Sequence, residues 1–261
     1  MAAEPFAFNI DSLPPDKITL FDIRYDIEPH KSVSPWSWAV KYTLYAKKIP
    51  FHIKLVEMVD IPALSKVLGL QPGEGFTAEP MYTLPAIYDP STKKAIVDSL
   101  AINMYLDAQY PESPRVVAEG TKGLIKAFLT AMKNLDYACF PVAIEICLGL
   151  TTAKSREHFR STREKLLGVK IEDITPREPE KVAAAWAGIK KVFDTMDGWY
   201  GDNTFIMGTD VPTHADFVVA GRLMLLKEFF REESEEWNRI AGWNDGRWGK
   251  LLKYCNDMWV V

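Results

Sequence analysis

The chain has 261 residues, 48% of them apolar and 12% aromatic, which is enough to bury two modest cores and favours two domains over one. Its 31 basic and 35 acidic side chains leave a net charge of −4, which excludes the basic excess that gathers phosphates, so no nucleic-acid partner is expected. The N-terminus MAAEPFAFNIDSLPPDK has no basic start before a long apolar stretch, and no run of about 18 apolar residues occurs, so neither a signal peptide nor a membrane span is expected.

After a Pro-rich leader, ITLFDI at residues 18–23 is an almost wholly apolar run of strand length, the pattern of a central strand covered on both faces. SPWSWAVKYTLYAKK follows with apolar residues at helical spacing. A Ser-Pro pair opens it and two lysines close it before Pro50, which predicts a helix from about Pro35 to Lys47. FHIKLVEMV alternates Phe51, Ile53 and Leu55 with His52 and Lys54, the period-two pattern of a second strand, so these segments form a βαβ unit. PALSKVLGL reads as a short helix. TLPAIYD and KAIV read as strands of a hairpin turning at Asp89-Pro90-Ser91, and DSLAINMYLDAQY as a helix opened by Asp98 and Ser99 and stopped by Pro111.

From Gly120 onward the periodicity is helical, in segments near 120–150, 155–168, 178–200, 213–231 and 245–258. The expected fold class is therefore α/β plus all-α: a leader over 1–16, a βαβ-ββα domain over 17–110, a linker over 111–119 containing most of YPESPR, and an all-helical domain over 120–261. Cys139, Cys147 and Cys255 form no C-x-x-C pair, which fits a reducing, cytoplasmic location. His30, His52, His158 and His214 are widely separated, so no metal is expected. Cys139 and Cys147 lie in an apolar helical stretch, the ordinary setting of buried, unreactive thiols.

The order of elements, with Leu84-Pro85 opening the third strand, DSLAI at 98–102 and THADF at 213–217, resembles the glutathione transferase superfamily from residue 17 onward. In that family the positions of Leu84-Pro85 hold a cis-proline, DSLAI is a glutathione motif, and THADF is the capping box of a buried helix. VSPWSWAVKYTL at 33–44 and FRSTREKLLG at 159–168 are similar to the fungal FuA class and the bacterial lignin β-etherases. The resemblance implies a thioredoxin-like N-terminal domain that binds glutathione as a substrate, an all-helical second domain, no metal, and a homodimer.

Glutathione reacts as its thiolate, and a free thiol titrates near about 8.5, so the site must lower that value by roughly one to two. Ser34 precedes the first helical residue, and alone it reads as an N-cap; its hydroxyl and the free amides behind it would also suit a negative sulfur. In the resembled enzymes the residue before this proline is the catalytic Ser or Cys. Ser32, Ser37 and Tyr25 remain alternatives. Asp98 and Ser99 likewise read as ordinary caps. Behind TLPAI they would take the γ-glutamyl amino and carboxylate groups, while Leu84, turned outward by Pro85, would pair with the backbone of the cysteinyl residue. Lys47 and Lys48 are candidates for the glycyl carboxylate, with Lys41 a similar one; a solvated helix end is the plainer reading of the pair.

Tyr25, Trp36, Met132, Tyr137 and Phe140 are the candidates for the pocket of a small apolar aromatic partner, against core packing as the plain alternative. Three functions are consistent with these residues. One is thiolate attack on an aromatic electrophile, by conjugation or ether cleavage. The second is a ligandin-type carrier with little turnover, and the third is an interaction module, against which the intact DSLAI and TLPAI motifs argue.

Overall fold

A computed structural model describes residues 7–29, 32–73 and 80–258; residues 1–6 of the expected leader and His30 lie outside the described residues. The first half is a four-stranded mixed sheet in the order β2-β1-β3-β4. Strand β1 (Ile18–Ile23) runs parallel to β2 (Phe51–Val56) and antiparallel to β3 (Ala86–Asp89), which pairs antiparallel with β4 (Lys94–Val97). Strand β1 is buried from Ile18 to Asp22 because the strand is central, whereas β2 lies at the edge and leaves Ile53 37% exposed. Helix α1 (Pro35–Ala46) links β1 to β2, α2 (Ile61–Val67) follows a 3-10 turn at Met58–Asp60, and α3 (Ser99–Gln109) follows β4.

The second half is helical: α4 (Lys122–Leu150), α5 (Ala153–Leu167), α6 (Pro179–Tyr200), α7 (His214–Phe230) and α8 (Glu235–Asp257). Helix α8 starts about ten residues before the expected segment near 245. Ser234 caps it by accepting from the Trp237 N–H at 3.0 Å, and Asn244, Asp245 and Gly246, at φ 53, 57 and 76°, break it internally. That Asn-Asp-Gly turn reads in sequence as a boundary between elements, which hid the first half of the helix. Among the described residues no helix is long and apolar enough to cross a membrane.

Helix α1 serves two cores. Val40 and Leu44, four apart and so on one face, pack with Leu20 and Ile87 of the sheet and Ile102 of α3. Trp38, Ala39 and Tyr42 pack with Phe217, Leu223 and Trp248 of the helical half, and the Tyr42 hydroxyl donates to Asn256 at 2.8 Å. The close approach of α7 depends on Gly221, where an added Cβ would lie 2.2 Å from the Pro35 carbonyl oxygen. Gly221→Ala is therefore expected to push α7 off α1 and cost about 3 kcal/mol, read as a fall in the midpoint of urea unfolding; an unchanged midpoint would mean that the contact adjusts.

His214 opens α7 behind Thr213, whose side chain and backbone form a capping box with Asp216. The histidine is fully buried, its Nδ1 lies 2.7 Å from Nδ2 of Asn103 on α3, and its backbone N–H donates to Val116. Burial, with Arg222 adding to it against an opposing effect of Asp107, pulls its pKa from 6.5 down to about 4. The unfolded chain then binds the proton that the folded one refuses, so stability is full above about 6.5 and falls as pH drops toward 4. A loss of about 3 kcal/mol over this window is expected in unfolding measured against pH, and His214→Gln should remove that part of the slope.

Candidate active site

One row of the sheet, Phe21 opposite Ala86 and Ala86 opposite Val97, gathers the sequence candidates. The chain leaves β1, enters β3 and leaves β4 just beyond this row, so Leu84-Pro85, Asp98-Ser99 and the segment leading to Ser34 share one end of the sheet. Helices α1 and α3 both start there, which aims two sets of free amide N–H groups and two positive dipole ends into that region.

Ser34 caps α1 with extended backbone, φ −61° and ψ 116°, and its Oγ accepts a long 3.4 Å bond from the Ser37 N–H. The residue is 3% exposed, and among the described residues its O–H donates to no acceptor. Ser32 and Ser37 are fully buried, and neither Oγ has a partner among the described residues. Asp98 caps α3 by accepting from the Ala101 N–H at 2.9 Å while holding φ at 81°, a region that L residues rarely adopt. Ser99, at the first position of α3, is 4% exposed, and the Leu84–Pro85 peptide is cis. Leu84 precedes the first ladder pair of β3, so it lies outside the strand's own pairing.

The N-terminal domain model of glutathione S-transferases matches residues 33–109, and the C-terminal domain model matches residues 123–259. The chain belongs to the glutathione S-transferase family. It is similar to the glutathione S-transferase CsGST63524 of Ceriporiopsis subvermispora, solved in complex with glutathione. The two are 36% identical, with a TM-score of 0.88 over 94% of this chain and 98% of that one. It is also similar to GSTFuA3 of Phanerochaete chrysosporium, at 29% identity and a TM-score of 0.84 over 93% of this chain and 97% of that one. A third relative, the glutathione S-transferase-like protein ustS of Aspergillus flavus, is 28% identical over 85% of this chain and 82% of its own length.

Several expected site residues of this glutathione S-transferase sit elsewhere. Lys47 is neither a solvated helix end nor open to a ligand: its Nζ is buried between Asp107 at 2.9 Å and Ser113 Oγ at 2.9 Å, at the opposite end of α1 from Ser34. Lys41 is likewise buried, 2.8 Å from Asp22 and stacked over Trp38. The two alkyl stems look in sequence like surface lysines because their acidic partners lie far along the chain. Met132 lies in the helical core at 1% exposure while Tyr137 is 70% exposed, since five helical residues turn about 140° around α4. These two therefore cannot line one cavity. Phe140 is half-buried, against the core that contains Tyr25 and Leu84.

Tyr25 is buried in a bridge between the halves, paired with Thr151 across an isolated β-bridge, and its hydroxyl lies 3.9 Å from Cys147 Sγ. Burial, with Cys147 beside it, raises its pKa well above the ordinary value, so the phenol stays protonated. Burial likewise pushes Cys147 up to about 11 and Cys139 up to about 12, which leaves both thiols inert at neutral pH. Trp36 is half-buried beside Ser34, and the Arg222 guanidinium lies 5.6 Å from its ring centre. Arg222 and its partner Asp136 carry no sequence signal that ties them to each other or to Trp36.

Proposed function

We propose that this family member works by holding the glutathione thiol against Ser34 at the N-terminus of α1. The sulfur accepts from the Ser34 hydroxyl, whose oxygen already takes the Ser37 N–H, so one hydroxyl both donates and accepts. Asp98 and Ser99 take the γ-glutamyl end and the Leu84 backbone takes the cysteinyl peptide. The observation that carries the reading is the convergence of both helix starts and Leu84-Pro85 beyond the row Phe21, Ala86 and Val97. Because Ser34 is only 3% exposed, little water competes for its hydroxyl, and a charge-assisted hydrogen bond from it to a thiolate is strong. The second substrate is an apolar aromatic electrophile lying over the same helix end, with Trp36 as one wall of its pocket.

Ser34→Ala and Ser99→Ala should separate the two halves of this reading. Removing the Ser34 donor is expected to raise the pKa of bound glutathione by roughly one to two, followed as thiolate absorbance against pH. Ser99→Ala should weaken glutathione binding and leave that titration in place, because the glutamyl anchor is the same before and during attack. A titration unmoved by Ser34→Ala but moved by Tyr25→Phe would transfer the donor role to Tyr25. Turnover at the uncatalysed background across aryl halides, isothiocyanates, peroxides and β-aryl ethers would favour the carrier.

We further propose a homodimer with a site in each chain, acting in the cytoplasm. Light scattering should then return about twice the chain mass of 29.6 kDa at micromolar concentration. A monomer would remove the dimer and leave the site untouched.

A further inference from the structure

We infer that Asp136 and Arg222 form a positioning pair that fixes Trp36 as the wall of the aromatic pocket, and so set preference for the second substrate without touching glutathione. The inference rests on the proposed reading of Trp36. Arg222, on α7, has a side chain 5% exposed, and its Nε and Nη2 donate to the two carboxylate oxygens of Asp136 on α4, each at 2.8 Å. Its Nη1 donates to the Val218 carbonyl at 3.2 Å. Three of its five N–H donors are therefore taken, and two of them share one carboxylate, which fixes the plane of the group; what it presents to Trp36 is a flat, held guanidinium 5.6 Å from the ring centre.

The backbone on both sides of this contact is equally constrained. Gly221, next to Arg222, lies against the Pro35 carbonyl with no room for a Cβ, and Pro35 stands between Ser34 and Trp36. The guanidinium is thus tied to the first turn of α1 through the backbone of α7 and to α4 through Asp136. A half-buried indole in contact with solvent has rotamers to choose from. A guanidinium held by Asp136 and Val218 beside it restricts that choice, and a lysine cannot reproduce the planar, bidentate arrangement. Asp136 is the accessible member of the pair, 32% exposed, so its substitution is the gentler intervention.

The test compares the parent with Asp136→Asn, Arg222→Lys and Trp36→Phe, using glutathione and S-(2,4-dinitrophenyl)glutathione as probes. The ratio of their affinities isolates the aromatic subsite and needs no turnover. Acrylamide quenching of the fluorescence lost in Trp36→Phe reports the exposure of Trp36 itself. Asp136→Asn is expected to reduce the affinity ratio about three- to tenfold and to make Trp36 easier to quench, with glutathione affinity and the thiolate titration unchanged. Arg222→Lys should behave the same way if it folds, and Asp136→Asn carries the test if it does not. A reduced ratio in Trp36→Phe with an unchanged ratio and unchanged quenching in Asp136→Asn would overturn the positioning role alone. An unchanged ratio in Trp36→Phe would overturn it together with the pocket reading.

Discussion

The contact between the first turn of α1 and the middle of α7, where Gly221 meets the Pro35 carbonyl, is the constraint on which the rest of the molecule depends. Because this contact leaves no space for a side chain, α1 lies with one face on the sheet and the other in the helical core, and Ser37 to Leu44 are all buried. A helix held on both sides has little freedom to shift along its axis. The position of its N-terminus relative to the sheet is thereby fixed, and the proposed site, in which one hydroxyl and a few amides meet a sulfur, needs that fixity.

Buried charges repeat the same theme. Lys41 with Asp22 and Lys47 with Asp107 attach α1 to β1 and α3, and Arg222 with Asp136 attaches α7 to α4. Desolvation offsets much of the attraction in such pairs, so each adds little net stability while making any displaced arrangement costly, since it would strand a buried charge. Asn103 and His214 act similarly without charge, joining α3 to the start of α7 at 2.7 Å. Together these contacts tie α1 to the sheet and to α3, and α7 to α3 and α4.

How far this could be read in the sequence follows the range of each interaction. The apolar run of β1, the Ser-Pro opening of α1 and the Asp-Ser opening of α3 are local, and their elements stand at or within a residue or two of the expected limits. The break in α8 at Asn244 to Gly246 has the chemistry of a turn, so the helical pattern is picked up only from about residue 245. Lys47 and Arg222 meet acidic partners 60 and 86 residues away, a separation no spacing rule covers, so one reads as a surface lysine and the other carries no signal. The pocket candidates Met132 and Tyr137 failed for a local reason that was available: residues five apart on a helix lie on different faces. Trp36 was legible as a neighbour of Ser34, but the guanidinium beside it was not.

Asp98 caps α3 in a backbone conformation that capping does not require. As a cap it needs only to accept the Ala101 N–H, which an aspartate in ordinary extended backbone would do equally well. It instead holds φ at 81°, a conformation that costs a non-glycine residue on the order of 1–3 kcal/mol, so capping by itself does not account for the geometry. The unusual backbone belongs to the turn by which the chain leaves β4 at Val97, opposite Ala86, and enters α3 at Ser99 with no intervening loop. A longer connection would relieve the strain and carry the N-terminus of α3 away from Leu84-Pro85. The strain is therefore what keeps the cap carboxylate and the first amides of α3 beside Leu84-Pro85, the place where the proposed reading puts the γ-glutamyl end.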